Sequence, residues 1–347
     1  MKKKILALVL ATAMAATVLT GCGDGGNEST TPTESTGTEE STASTGNEEG
    51  GNVESGKVYN VGICQLVEHA ALDAATQGFQ DALKEKLGDQ VKFDIQNAQG
   101  EQTTAATICN GFVSDSVDLI LANATAPLQA AAAATTDIPI LGTSVTDYAT
   151  ALEIADWTGT TGRNISGTSD LAPIDEQEKM LVELFPDAKQ VGLLYCSAEA
   201  NSLYQIELFS TALKEDGIAY KVYPIADTNE VQAVVTTAVD ECDVLYIPTD
   251  NTLASVTETV KNVVVPAGIP VIAGEEGICD GCGVATLSIN YYDLGYATGE
   301  MAYEILVGGA DVSAMDVRFA PKVTKKYNAD ICDALGVNIP EGYEVIE

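Results

Sequence analysis

Histidine and tryptophan occur once each in this chain of 347 residues, and basic side chains are scarce: 17 Lys and Arg stand against 51 Asp and Glu, a net charge of −34. With His69 the sole imidazole, a histidine-rich zinc site is excluded. A nucleophilic Cys–His or Ser–His pair would have to use His69, and no enzyme signature surrounds it, so a positioning or capping role is expected there. The acidic balance excludes a nucleic-acid partner, whose phosphates demand a basic stripe, and disfavours attachment to anionic lipid by charge. Eight cysteines are scattered along the chain, which is no small disulfide scaffold. The glycines between Gly159 and Gly167 are followed by no Gly-Lys-Ser or Gly-Lys-Thr, so no phosphate loop is written there. No catalytic residue, metal or cofactor is expected.

Long apolar runs are also missing, apart from one. Lys2, Lys3 and Lys4 precede an apolar stretch from Ile5 to Leu19, broken only by Thr12 and Thr17. A span of about 20 residues is needed to cross a bilayer, so this shorter run reads as a secretion signal over residues 1–21. Leu19-Thr-Gly-Cys22 resembles a bacterial lipobox, with cleavage before Cys22 and lipid on its sulfur. Residues 22–56 then collapse to Gly, Ser, Thr, Asn and Glu, too polar to offset their ordering entropy, and are expected to form a tether behind a lipid anchor on the outer face of the cell membrane.

The remainder repeats one pattern of strand, polar loop and helix. The first series has strands at 58–64, 91–95, 118–122 and 137–141, with helices over 70–87 and 102–114 and an alanine-rich helix after Pro127. The second has strands at 190–196, 218–223, 244–247, 269–273 and 284–289. Such alternation predicts α/β architecture: two Rossmann-like lobes with parallel sheets, joined by a multi-strand hinge. The glycine-rich stretch 159–170 is read as the first crossing between lobes. The boundaries expected are 57–168 plus 290–318 for one lobe and 169–289 plus 319–347 for the other.

Ligands of open α/β sheets bind at the carboxyl ends of the strands. The buried run Val244-Leu-Tyr-Ile247 leads past Pro248 into Thr249, Asp250 and Asn251 at such an end. Asp250 is there either a helix cap or a fixed negative charge for a ligand ammonium, and recurrence of the same pattern along the chain favours the second. That reading predicts that Asp250→Ala abolishes tight ligand binding and leaves the fold intact. The other strand ends contribute Gln65, Glu68, His69, Asn123, Thr125, Ser144, Ser169, Asp170, Asn201, Ser202 and Glu275 as ligand-binding candidates, with Thr125 opening a helix whose free N–H groups suit a carboxylate. Tyr195 is a candidate ligand contact at a strand end, against core packing as the ordinary fate of a strand aromatic. Cys279-Asp-Gly-Cys282 lacks the second pair that a metal site needs; a local disulfide or two free thiols in a loop are expected.

Taken together, Gln65-Leu-Val-Glu-His-Ala-Ala-Leu-Asp73, Asn97-Ala-Gln-Gly100, Glu199-Ala-Asn-Ser202, Pro248-Thr-Asp-Asn-Thr252 and Tyr291-Tyr-Asp-Leu-Gly295 resemble the tryptophan/tyrosine-type substrate-binding lipoproteins of ABC importers. The resemblance runs from about Val58 to the C-terminus. It implies a type I periplasmic-binding-protein fold and a monomer that closes on an amino acid. It further implies delivery to an ABC permease coupled to an ATPase, with the Asn201-Ser202 and Asp250-Asn251 loops lining the cleft. The alternatives are a sensor binding another small polar solute, or a secreted metal-binding or thiol protein using His69, Cys279 and Cys282.

Overall fold

A computed structural model describes residues 56–320 and 322–346. The expected signal peptide, the lipidation site Cys22 and nearly all of the tether lie outside them. The chain opens with β1 (Tyr59–Gln65), α1 (Ala70–Leu87), β2 (Val91–Asn97), α2 (Gln102–Ser114), β3 (Leu119–Asn123), α3 (Thr125–Ala134), β4 (Ile140–Val145), α4 (Tyr148–Ala151) and β5 (Ile165–Ser169). It continues with α5 (Ile174–Leu184), β6 (Gln190–Cys196), α6 (Ala200–Glu215), β7 (Ala219–Ile225), α7 (Val231–Glu241), β8 (Val244–Ile247), α8 (Asn251–Ala254), α9 (Thr257–Ala267), β9 (Val271–Ala273), α10 (Glu276–Cys282) and β10 (Ala285–Ser288). Last come α11 (Tyr291–Leu306), β11 (Arg318–Phe319), β12 (Thr324–Tyr327), α12 (Ala329–Leu335) and β13 (Glu344–Val345).

Two sheets result, ordered β11-β5-β4-β3-β1-β2 and β13-β12-β10-β9-β8-β6-β7, parallel throughout except for the antiparallel β10–β12 pair. The central strands are apolar on both faces: every residue of β3 and of β8 is buried, as covering helices require. Each sheet has apolar clusters on both sides, one around Phe112 and Leu128 and another around Phe79 and Met301 in the first lobe. In the second, Tyr246 stacks on Phe209 at 3.7 Å while Leu245 and Val260 belong to the opposite cluster.

The chain changes sheet after β5, after β10 and after β11. Following the second change, α11 lies back along α1, where Gly295 faces the Ala75 carbonyl so closely that any Cβ there would overlap it. The residues read as a first crossing contain β5, whose Ile165-Ser-Gly-Thr-Ser169 is wholly buried. One apolar residue in five gives no strand signal. The hydroxyls are satisfied internally instead, Thr168 Oγ1 lying 3.2 Å from Thr143 Oγ1 and 2.8 Å from Thr298 Oγ1. β4 likewise starts after Pro139, which cannot donate to a ladder, and runs on through residues read as loop to Val145.

Candidate functional site

In each sheet the first strand lies between the next two, as β2-β1-β3 and β7-β6-β8. Connections leave such a strand toward opposite faces, opening a crevice at its carboxyl end. The two crevices face one another. His69, the N-cap of α1, places Nε2 3.2 Å from Asn251 Oδ1 at the start of α8, and Gln205 of α6 donates to Thr146 Oγ1 at 3.4 Å. Between them is a cavity of about 330 Å³, lined by Thr125, Ala126 and Gln129 from the first lobe and Glu199, Asn201 and Asn251 from the second. That volume is at the low end for a small-molecule site, roughly 300–1,000 Å³.

Backbone strain collects on the same edge. Gln99 (φ 57), Ala124 (φ 96) and Ser144 (φ 54) hold left-handed or still rarer conformations just beyond β2, just beyond β3 and near the end of β4. Non-glycine residues persist there only where surrounding structure over-determines them, as at ligand sites. Ser144 occupies the register break between Gly142 and Val145, a bulge that turns its side chain out of the normal alternation. Its Oγ and the Oδ1 of Asn123 are buried without a hydrogen-bond partner. Thr125, 5 % exposed, begins the ten-residue α3.

Three of the buried carboxylates are among the expected ligand-binding residues. Asp250 is 1 % exposed and is fully engaged: Oδ1 accepts from Leu253 N (2.9 Å) and Oδ2 from Cys196 N (2.6 Å) and Ser202 Oγ (2.8 Å). It caps α8 and ties that helix to β6 and α6, so the expected cleft-facing charge is corrected to the helix-capping alternative. Burial, and then the nearby Glu199, push its carboxyl up to about 8. Asp170 and Glu275 take fewer donors, two each. Asp170, just past β5, accepts from Thr146 Oγ1 and from Tyr291 Oη at 3.0 Å each, and burial raises it above the ordinary carboxylate range. Glu275 caps α10 by accepting from Gly277 N and Ile278 N, and burial holds it up at about 7, with Glu276 and Asp170 adding to the shift. Among the described residues no Lys or Arg is buried, and neither Asp170 nor Glu275 has an ion-pair partner.

Other expected residues have structural duties. Gln65 donates to Asp73 and Val67 and accepts from Thr76, locking β1 to α1. Glu68 is exposed over a hollow lined by the end of β1, α1 and β2, with no residue of the second lobe. Ser169 donates to Thr146 O, and Ser202 is spent on Asp250. Tyr195 packs on the apolar cluster of Leu193 and Tyr246 and is absent from the inter-lobe cavity, so the ligand-contact role is corrected to core packing. Asn201 and Thr249 meet directly, Asn201 Nδ2 donating to Thr249 O at 3.0 Å.

Sequence reasoning missed three participants. Glu199 accepts from Asn251 N and Nδ2, Thr252 N and Oγ1, and Asn201 Nδ2, organising the whole second-lobe face of the cavity. Gln205 holds Thr249 through both ends of its amide, and its place four residues after Asn201 on one helix was the available signal. Tyr291 joins Asp170 from the second crossing. Cys279 and Cys282, expected in a loop, lie on α10 as free buried thiols packed with Ile278 and Val260, and burial raises both above the ordinary thiol range. Their apolar setting leaves them little thiolate character.

Residues 60–345 match the family model of ABC transporter substrate-binding proteins. A protein of Clostridioides difficile (strain R20291) named tyrosine-binding protein is 38 % identical over 323 residues, covering 90 % of this chain and 88 % of that one. A solved ABC domain from Streptococcus pneumonia in complex with L-Trp is 32 % identical with a TM-score of 0.79, covering 84 % of this chain and all of that one. The ligand-free, open structure of a substrate-binding protein with adhesive properties from Clostridium difficile is 40 % identical, covering 84 % of this chain and 99 % of that one, with a lower TM-score of 0.64. The more identical chain is thus the less similar in shape. In this chain the lobes touch across the crevice.

Proposed function

Since this chain belongs to the family of ABC transporter substrate-binding proteins, we propose that it captures an aromatic L-amino acid, tyrosine or tryptophan, between its lobes. It then delivers the ligand to a membrane permease driven by an ATPase. Members of this family bind their substrates outside the cytoplasm, and among the described residues no helix is long and apolar enough to cross a membrane. The reading rests above all on two buried carboxylates, Asp170 at the first crossing and Glu275 at the head of α10, that pair with no Lys or Arg among the described residues. A ligand ammonium would supply that partner. The ligand carboxylate then meets the N–H groups at Thr125 and the free hydroxyl of Ser144, and the ring extends into the cavity beside Gln129 and Asn201. The names of the tyrosine-binding relative and the L-Trp complex support the aromatic choice.

The lobes in this reading comprise 57–168 with 290–318 and 169–289 with 319–347, and the chain acts as a monomer that makes and breaks no bond. Lipid on Cys22 holds it at the outer face of the membrane; Cys22→Ala should release it into the medium. Thermal shift and calorimetry against the twenty amino acids, sugars and nucleosides test the ligand. A ligand at a hundred times its Kd stabilises the native form by about 2.7 kcal/mol. Tyrosine or tryptophan should give the largest shift, and tyramine and 3-(4-hydroxyphenyl)propionate, each missing one charged group, should bind far more weakly. Stabilisation by sugars or nucleosides alone overturns the reading.

A further inference from the structure

The sole histidine touches the opposite lobe, and it does so through a residue already fixed from behind. Asn251 donates its Nδ2 to Glu199 at 2.7 Å and its backbone N to the same carboxylate, so its Oδ1 is left pointing at His69 Nε2. Glu199 is itself anchored by Thr252 and Asn201. An amide whose NH₂ is committed in this way cannot flip, and its oxygen can only accept. His69 must therefore carry its proton on Nε2. It stands at the head of α1, the helix that packs on α11 and moves with the first lobe, whereas Asn251 opens α8 of the second.

We propose that His69 is a closure latch: a positioning residue that makes no ligand contact and slows ligand escape by hydrogen-bonding the Glu199-anchored Asn251 only when the lobes meet. Burial in the closed arrangement lowers the histidine's proton affinity, outweighing the hydrogen bond with Asn251, Glu199 across the cleft and Asp73 on its own helix, which all raise it. The closed form thus holds the neutral ring, with Nε2–H directed at Asn251. In the open form the ring is freed into water and the contact disappears.

This rests on the ligand reading above, and the test separates the two. L-tyrosine and L-tryptophan dissociation is followed by stopped flow for wild type, His69→Ala, His69→Gln, Asn251→Ala and the double variant. A single neutral hydrogen bond is worth about two- to tenfold, so His69→Ala should speed dissociation by that factor with little change in association. His69→Gln, which keeps a donor, should recover most of it. The double variant should be no faster than Asn251→Ala alone. Equal dissociation rates in wild type and His69→Ala, or strictly multiplicative effects in the cycle, overturn the latch. Failure of wild type to bind either amino acid ends the ligand reading instead. The unique imidazole signal by NMR then decides the latch: the closed fraction of wild type should show the Nε2–H tautomer directed at Asn251, a signal that Asn251→Ala removes, and identical imidazole spectra in the two proteins overturn it.

Discussion

Replacing Asp250 by alanine separates two uses of a buried carboxylate. In the structure it receives three hydrogen bonds, from Leu253 N, Cys196 N and Ser202 Oγ. Alanine leaves two backbone N–H groups without an acceptor in a site closed to water, while the serine hydroxyl can rotate. Each stranded amide costs about 1–3 kcal/mol, so the loss is about 2–6 kcal/mol before any relief. Some relief follows from removing a carboxyl that burial and Glu199 already push up to about 8. A net loss of about 2–4 kcal/mol lowers the melting temperature of a protein this size by roughly 5–12 °C. Calorimetric scanning of both proteins, with tyrosine titrations at a temperature where each is folded, measures the two effects separately. The expected outcome is a large fall in stability with an affinity change of less than about tenfold, the loosening of the Thr249–Asn251 turn being the only route to the ligand. An unchanged melting temperature with binding abolished would refute the capping role and restore Asp250 as the ammonium grip.

Two further perturbations probe the site itself. Ser144→Gly removes a strained φ of 54° together with a buried hydroxyl that has no partner, so it should stabilise the ligand-free protein by about 1 kcal/mol and weaken tyrosine binding about tenfold; lower stability with unchanged affinity would show the hydroxyl to be structural. Proton coupling tests Asp170 and Glu275: their pKa values are raised without ligand, Glu275 to about 7, and an ammonium would depress them. The complex therefore binds fewer protons, affinity is full above about pH 7 and falls as the pH drops, and calorimetry in buffers of different ionisation enthalpy should record proton release that Glu275→Gln reduces. Absence of release at pH 6–7 would remove these carboxylates from the ammonium site.

Linear pattern alone determined the architecture. Unbroken apolar strands such as Val244–Ile247, each ending in polar residues before a helix, can satisfy their backbone and bury both faces only inside wound parallel sheets, and the recurrence of that pattern dictated two lobes. It likewise marked the polar edge of each sheet, because strand ends are where polar side chains cluster. What the pattern could not decide was the employment of each polar group there, since Asp, Asn and Ser cap helices with the same atoms that hold ligands. Only the packed structure showed Asp250 consumed by three internal donors, against two each on Asp170 and Glu275, and only it brought His69 to Asn251, 182 positions away. It also made a strand of Ile165–Ser169, whose hydroxyls find partners that no local sequence contains. Secondary structure follows from neighbours in the chain, whereas the job of a buried polar atom is set by whichever donor or acceptor the fold carries to within 3 Å of it.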